Sequence, residues 1–278
     1  MQRDRIEALV AQPDGIEDIG RDEARELLGQ AEEVISADGG VVRLPEEERV
    51  VFVGDTHGDF DATRQVVARY LNGKNALVFL GDYVDRGPQS EENIHYLLCL
   101  KLLYPRKVLL LQGNHEGYEV VPFQPANFWG FLDQNRRTAY SRVLTRLPLA
   151  VHSPSIVALH GALPDVGSLE DVNRVQLGSA EWRQITWGDW VESEEDYVGL
   201  GAYTGRPQFG SGYFERVMQQ MGKEVLIRSH QPDAPQRLFE NRCLTIFTSR
   251  AYMPVRTVAI AERGREIHTV RDLSIESV

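Results

Sequence analysis

The order of apolar and polar residues changes character near residue 48. Before it, GRDEARELLGQAEEVIS (20–36) places apolar side chains at Ala24, Leu27, Leu28, Ala31, Val34 and Ile35. That three-and-four spacing predicts an amphipathic helix laid over a core. From residue 48 the chain reads RVVFVGD, DATRQVVARYL, NALVFLGD, SEENIHYLLCLKLL and KVLLLQGN. Short apolar runs alternating with longer ones predict strand, helix, strand, helix, strand. Strands apolar on both faces pair in parallel beneath helices, and right-handed crossovers set their C-terminal ends along one edge. After residue 121, helices are expected over roughly 127–146 and 178–187. After residue 224, EVLIRSH, RCLTIFTS, VRTVAIAE and EIHTVRD predict strands of a second, more antiparallel sheet. The expected class is α/β with α+β character.

Composition narrows the partners. With 278 residues, 42% of them hydrophobic, the chain can bury a substantial core, and no repeat or Pro/Gly/Ser-rich linker divides it. A single catalytic domain over 1–278 is expected, with 1–46 as a helical cover and 47–262 as its core. The net charge is 30 − 41 = −11 without a long basic run, so no nucleic-acid partner is expected. Cys99 and Cys243 lie in the apolar stretches LLCLKLL and NRCLTIF and read as small buried hydrophobes. MQRDRIEALVAQPDG has no signal-like apolar core, and no segment approaches the ~18 apolar residues of a membrane span. A cytoplasmic protein without a membrane partner is expected; the sequence leaves oligomeric state open.

Three strand ends carry ligand-type residues. GDTHGD offers Asp55 and His57, GDYVDRG offers Asp82 and Asp85, and GNHE offers Asn114 and His115, each block opening on a glycine. Ligands at strand tips belong in the crevice outside the carboxyl ends of an α/β sheet, where glycines permit tight turns and close backbone approach. Carboxylates with imidazoles and one amide oxygen suit manganese, iron or zinc better than calcium. Asp82, from the middle strand, can offer one oxygen to each of two ions, with Asp55 and His57 on one side and Asn114 on the other. Two ions roughly 3.5–4 Å apart lower the pKa of a water held between them, and in-line hydroxide attack on phosphorus is the expected reaction.

These blocks closely resemble the signatures of the phosphoprotein phosphatase family of metallophosphatases, GDxHG, GDxxDRG and GNHE. They follow in order, with intervals of 82 − 55 = 27 and 114 − 82 = 32 residues. A looser likeness continues through LHGALPD (159–165), WGDW (187–190), GRPQFGSGYF (205–214), IRSHQ (227–231) and TSRAY (248–252), spanning about residues 20–262. The resemblance implies a metallophosphoesterase-like two-sheet β-sandwich flanked by helices, with ligands at strand C-terminal ends. It implies two divalent ions, manganese first and iron or zinc as alternatives. One would be held by Asp55, His57 and Asp82, the other by Asp82, Asn114, His160 and His230. It makes His115 the general acid and Asp85 the carboxylate that orients it. Arg86 and Arg206 would clamp the phosphoryl group, with Asn114 and Tyr252 also facing substrate.

The rim departs from the family's eukaryotic members. Asp59 stands where they usually carry glutamine, Thr248-Ser249-Arg250-Ala251 where an asparagine and proline precede the late tyrosine, and Ala162 where they carry glycine. With the acidic run ESEED at 192–196, this looks like a prokaryotic member. His95, His152 and His268 read as surface or hydrogen-bonded core histidines, ESEED as a solvated loop, and Trp182, Trp187 and Trp190 as core rather than rim. The resemblance implies a serine/threonine phosphoprotein phosphatase, with phosphotyrosine as a further substrate left open. A hydrolase of dinucleoside polyphosphates or other small phosphoesters is the alternative, because relatives share the same metal core.

Overall fold

A computed structural model describes residues 1–278. Strands Arg49–Val53 (β2), Asn75–Phe79 (β3), Val108–Leu110 (β4), Thr257–Glu262 (β13) and Ser274–Ser277 (β14) form one sheet in the order β14-β13-β2-β3-β4. A second sheet runs β1-β5-β6-β10-β12-β11. Its strands are Val41–Arg43 (β1), Ala150–His152 (β5), Ile156–Leu159 (β6), Val225–Arg228 (β10), Arg237–Leu238 (β11) and Cys243–Thr245 (β12). Asp189–Trp190 (β7), Tyr197–Leu200 (β8) and Pro207–Phe209 (β9) make a small third sheet, β7-β9-β8.

Alternation along the strands makes a layered core, because successive side chains leave a strand on opposite faces. Val50, Phe52, Val78, Leu109 and Ala259 of the first sheet meet Val151, Ala158, Val225, Ile227 and Leu244 of the second. The intervening residues Val51, Val53, Leu77, Phe79, Leu110 and Ile260 face a helical layer. That layer comprises Arg3–Ala11 (α1), Arg21–Ile35 (α2), Phe60–Tyr70 (α3), Ser90–Leu103 (α4), Asn127–Phe131 (α5) and Gln134–Leu144 (α6). The outer face of the second sheet is covered by Ala180–Trp187 (α7) and Ser211–Met221 (α8), through Trp182, Ile185, Phe214 and Met218. Helix α4 is apolar around most of its circumference and is correspondingly buried between the first sheet and α1 and α2. Each fully buried Leu, Ile or Phe in these layers contributes about 1.5–3 kcal/mol, so α1 and α2 are held by Ile6, Leu9, Leu27, Leu28 and Ile35 rather than by helix propensity alone. No helix is long and apolar enough to cross a membrane.

Four expectations are corrected. The second sheet is mixed, with parallel pairing in β1-β5, β6-β10 and β10-β12, because the long excursion through α7, the small sheet and α8 lets β10 return in the direction of β6. The run TVAIAE becomes β13, antiparallel to β2 in the first sheet; apolar on both faces, it fits only an interior position. EIHTVRD is not a strand: Thr269 and Asp272 cap a single 3-10 turn over Val270–Asp272, and the edge strand follows as β14. The helix expected over 127–146 is split between α5 and α6, where Asp133 caps α6 by accepting the Arg136 amide at 3.0 Å.

Candidate active site

Strands β2, β3 and β4 run parallel and discharge Asp55 and His57, Asp82 and Asp85, and Asn114 and His115 at their C-terminal ends. Strands β6 and β10 of the second sheet, also parallel, end on His160 and on Ser229 and His230. The bridge between Asp55 and Phe247 joins the two sheets at this edge. Gly54 permits that junction, since a side chain there would run into the backbone carbonyl of Ile246. The turns are tight enough to force five non-glycine site residues into the left-handed region: His57 (φ 43°), Asp82 (54°), Asp85 (68°), Arg86 (71°) and His230 (72°). Such conformations cost on the order of 1–3 kcal/mol each and persist only where surroundings fix them.

Here each strained amide is paired. His57 N–H donates to Asp82 O at 2.9 Å, Asp85 N–H to Ser90 Oγ at 3.0 Å, Arg86 N–H to Asn127 Oδ1 at 2.7 Å, and His230 N–H to Asp55 Oδ1 at 3.3 Å. The Asp82 amide donates to the buried carboxylate of Glu116 at 2.7 Å, and Glu116 also accepts from Gly113 and Tyr83, both at 2.9 Å. Glu116 therefore staples the second block to the third.

The six candidate ligands converge. His160 Nε2 lies 3.1 Å from His230 Nδ1, 3.2 Å from Asn114 Oδ1 and 3.4 Å from Asp82 Oδ2, while its Nδ1 faces the Leu80 carbonyl at 2.9 Å. His57 Nδ1 faces Val84 O at 3.0 Å, which directs Nε2 toward Asp55 Oδ2 and Asp82 Oδ2, both at 3.6 Å. Second-partner bonds of this kind fix the tautomer and orientation of ligating histidines. Lone-pair atoms crowd together here, and Asp55 Oδ2 is buried without a hydrogen-bond partner. Such a donor set fits divalent metal: Asp82, His160 and His230 form one group with ligand-distance geometry, and His57, Asp82 and His115 another. Asp82 does not divide its oxygens between the halves as expected. Oδ1 accepts the His115 amide at 3.0 Å, and Oδ2 alone faces both His57 and His160.

Electrostatics follow the burial. Burial opposes the charge on Asp82, yet the imidazoles of His160 and His115 hold its carboxyl well below the usual range. Burial pushes Asp55 up and His57 down. Although burial disfavours its charge, His160 is raised to about 9 by Asp82 and Asp55. His230 is driven well down by burial and by Arg206.

Around this cluster lies an open cavity of about 350 Å³, lined by His57, Asp82, His115, Asp189, Arg206, His230 and Tyr252. His115 Nδ1 is 2.6 Å from Asp85 Oδ2, and Asp85 Oδ1 accepts the Phe128 amide at 2.8 Å. Nε2 of His115 faces inward, 3.8 Å from Asp82 Oδ2. Arg206 reaches the cavity with Nη1 3.6 Å from Asp189 Oδ1 and its guanidinium 5.9 Å over Trp187. Arg86 donates from Nε to the Tyr252 hydroxyl and from Nη1 to Pro125 O. Phe123 packs edge-on against both His115 and Trp187, at 4.5 and 5.3 Å, so Trp187 is a rim residue, whereas Trp182 and Trp190 are core.

Of the other histidines, His95 is buried against Tyr140 and His268 is exposed. The ESEED acids are exposed, and both cysteines are buried and unpaired. Sequence reasoning gave no role to Glu116 or Asp189. Both lay inside quoted blocks, GNHE and WGDW, but nothing in those letters shows which backbone amides Glu116 meets. Nor do they show that Asp189 Oδ1 lies 3.6 Å from His230 Nε2.

A two-sheet scaffold that gathers carboxylates and imidazoles at the ends of parallel strands, beside a carboxylate-held histidine and two arginines, defines the class of metal-dependent phosphoesterases. The chain belongs to the calcineurin-like phosphoesterases, whose family model matches residues 48–234. It is 28% identical over 256 residues to a probable serine/threonine-protein phosphatase of Encephalitozoon cuniculi, covering 84% of this chain and 54% of that protein. The chain thus spans about half the length of that relative. It is 29% identical over 231 residues to the serine/threonine-protein phosphatase 6 catalytic subunit of Caenorhabditis elegans, covering 75% and 67% of the two chains. A protein serine/threonine phosphatase structure from Saccharomyces cerevisiae shares the fold, with a TM-score of 0.78 at 21% identity, over 93% of this chain and 89% of that one.

Proposed function

We propose that the chain is a metal-dependent phosphoprotein phosphatase that hydrolyses phosphoserine and phosphothreonine monoesters. The observation that carries the reading is His115, held by Asp85 and aimed into a cavity whose floor is the ligand cluster. Asp55, His57, Asp82, Asn114, His160 and His230 would hold two divalent ions, with manganese the first choice for this donor mixture. Bound there, the ions would activate water as the nucleophile and neutralise phosphoryl charge. His115 gives its Nε2 proton to the departing oxygen, and Asp85, 2.6 Å from Nδ1, keeps the imidazole oriented for that transfer. Arg86 and Arg206 would present donors to the phosphoryl oxygens, a task suited to guanidinium. Tyr252 holds Arg86 at the site edge. The core shared by α1, α2 and the first sheet supports 1–278 as one catalytic unit.

The test is a side-by-side assay of phosphoserine and phosphothreonine peptides against a dinucleoside polyphosphate at matched manganese, before and after chelation. The reading expects peptide turnover that chelation abolishes and manganese restores. Preference for the dinucleotide would move the chain to the small-phosphoester alternative, and full activity after metal stripping would remove the metal requirement.

A further inference from the structure

Two rim features, Asp59 and the Ser249–Arg256 segment, are joined by one buried ion pair. Arg256 is only 4% exposed. Its Nε and Nη2 donate to Asp59 Oδ2 and Oδ1 at 2.9 and 2.5 Å, and its Nη1 donates to Asp61 Oδ2 at 2.8 Å. Asp59 Oδ2 also accepts the Arg250 amide at 2.9 Å, so one carboxylate grips the segment at both ends. The base is closed independently, by Thr248 Oγ1 donating to Thr257 O at 2.7 Å and by Thr257 N–H donating to Phe247 O at 2.6 Å. At the tip, the Tyr252 hydroxyl accepts from Arg86 Nε, and its ring meets His57 edge-on at 5.4 Å. Asp59 itself follows His57 by two residues and caps α3 through the Ala62 amide at 3.2 Å.

We propose that the Asp59–Arg256 pair is a positioning device that sets Tyr252 against Arg86 and thereby fixes the phosphate-facing guanidinium. This rests on the reading of Arg86 as a phosphoryl ligand. The geometry explains why a bidentate pair is used. A segment of about eight residues spanned only by its Thr248 and Thr257 base could swing its tip, and a guanidinium gripping one carboxylate through two donors fixes orientation as well as distance. Arg256 is buried against Asp59 and reaches the exposed Asp61, so its charge is compensated, and removing Asp59 would leave it only the solvent-facing carboxylate.

Five proteins test the proposal: wild type, Asp59→Asn, Tyr252→Phe, the double variant and Arg256→Lys. Asparagine keeps an oxygen for the Ala62 amide, so α3 retains its cap. Melting temperatures establish that each protein is folded at the assay temperature, with Arg256→Lys as a second, conservative probe of the same pair. Tryptic cleavage after Arg250, followed by mass spectrometry of the 251–278 fragment, reads the anchor without any catalysis. Calorimetric binding of inorganic phosphate to manganese-loaded protein reads Arg86.

The proposal expects faster cleavage in Asp59→Asn and phosphate binding weakened about three- to tenfold, within the range coupled neighbours show. With Tyr252→Phe already present, adding Asp59→Asn should weaken phosphate binding by less than about twofold, because the coupled route is gone. Arg256→Lys, which keeps the charge, should fall between wild type and Asp59→Asn in both readouts. Unchanged cleavage would overturn the anchor. Unchanged phosphate affinity, or two full and independent losses, would overturn the route through Tyr252. A wild-type chain that bound phosphate but hydrolysed no monoester would overturn the enzyme reading alone, and the cycle would still decide the positioning role.

Discussion

Oδ2 of Asp82 lies 3.4 Å from Nε2 of His160, and the same oxygen lies 3.6 Å from Nε2 of His57. Its partner oxygen is turned away to the His115 amide. One atom therefore serves both halves of the ligand cluster, whereas Asp55 reaches them with separate oxygens, Oδ2 toward His57 Nε2 and Oδ1 toward His160 Nδ1, both at 3.6 Å. Asp82→Ala is expected to deplete metal at both sites, by more than the roughly 10–100-fold affinity loss that follows removal of an outer partner. Asp55→Ala should deplete mainly the His57 half. Metal-to-protein ratios after dialysis would decide, and an Asp82→Ala protein that kept two ions would rule out the shared oxygen.

Arg86 has committed Nε to Tyr252 and Nη1 to Pro125 O, which leaves Nη2 as its free arm. A lysine ammonium preserves charge but cannot span two anchors and a phosphoryl group together. Arg86→Lys is expected to lower kcat/KM for a phosphoserine peptide nearly as far as Arg86→Ala, both by on the order of 10²-fold. If the lysine variant stayed within about threefold of wild type, charge alone would suffice.

His95 supplies a pH dependence distant from the ligand cluster. Nε2 lies 2.7 Å from the Tyr140 hydroxyl, and burial, reinforced by Arg136, lowers the imidazole to about 4. The folded protein thus keeps His95 neutral where the unfolded chain, with an ordinary value of 6.5, takes up a proton. The unfolded state binds more protons between about pH 6.5 and 4, so stability falls as pH falls through that window. The gap of 6.5 − 4 = 2.5 pH units corresponds to roughly 3 kcal/mol. Urea melts at pH 7, 5.5 and 4.5 in chelator should show that loss in wild type and a flatter profile in His95→Gln; identical slopes would remove His95 as the cause.

What the sequence made legible is bounded by what is local. Apolar runs ending in GD or GN located β2, β3 and β4, and their parallel pairing placed Asp55, Asp82 and Asn114 at one edge. An apolar run such as TVAIAE shows that β13 is buried, not which neighbour it pairs with, so its place beside β2 in the first sheet is not legible from the run itself. The same limit hid the direction of β10. Left-handed backbone at His57, Asp82 and His230 is not legible in the letters, because aspartate and histidine, though enriched there, adopt it at only a small share of their positions. Glu116 was visible as a charge, but its three backbone partners belong to two separate turns that only the folded chain brings together.

The last expectation concerns which substrates need His115. With Nδ1 2.6 Å from Asp85 and Nε2 directed into the cavity, the imidazole can give a proton to an oxygen leaving phosphorus. An aryl phosphate departs as a stable phenolate and gains little from that proton, whereas the alkoxide of serine or threonine requires it as the bond breaks. His115→Asn should therefore slow phosphoserine peptides more than nitrophenyl phosphate, with a gap of about 10²–10⁴-fold, the range general acids supply. Asp85→Asn should show the same bias in weaker form. It keeps a side-chain oxygen for the Phe128 amide but weakens the hold on the imidazolium. Metal content must be measured in both variants, since His115 lies beside Asp82. Equal losses on the two substrates at intact metal content would mean that His115 positions the phosphoryl group instead of protonating its leaving oxygen.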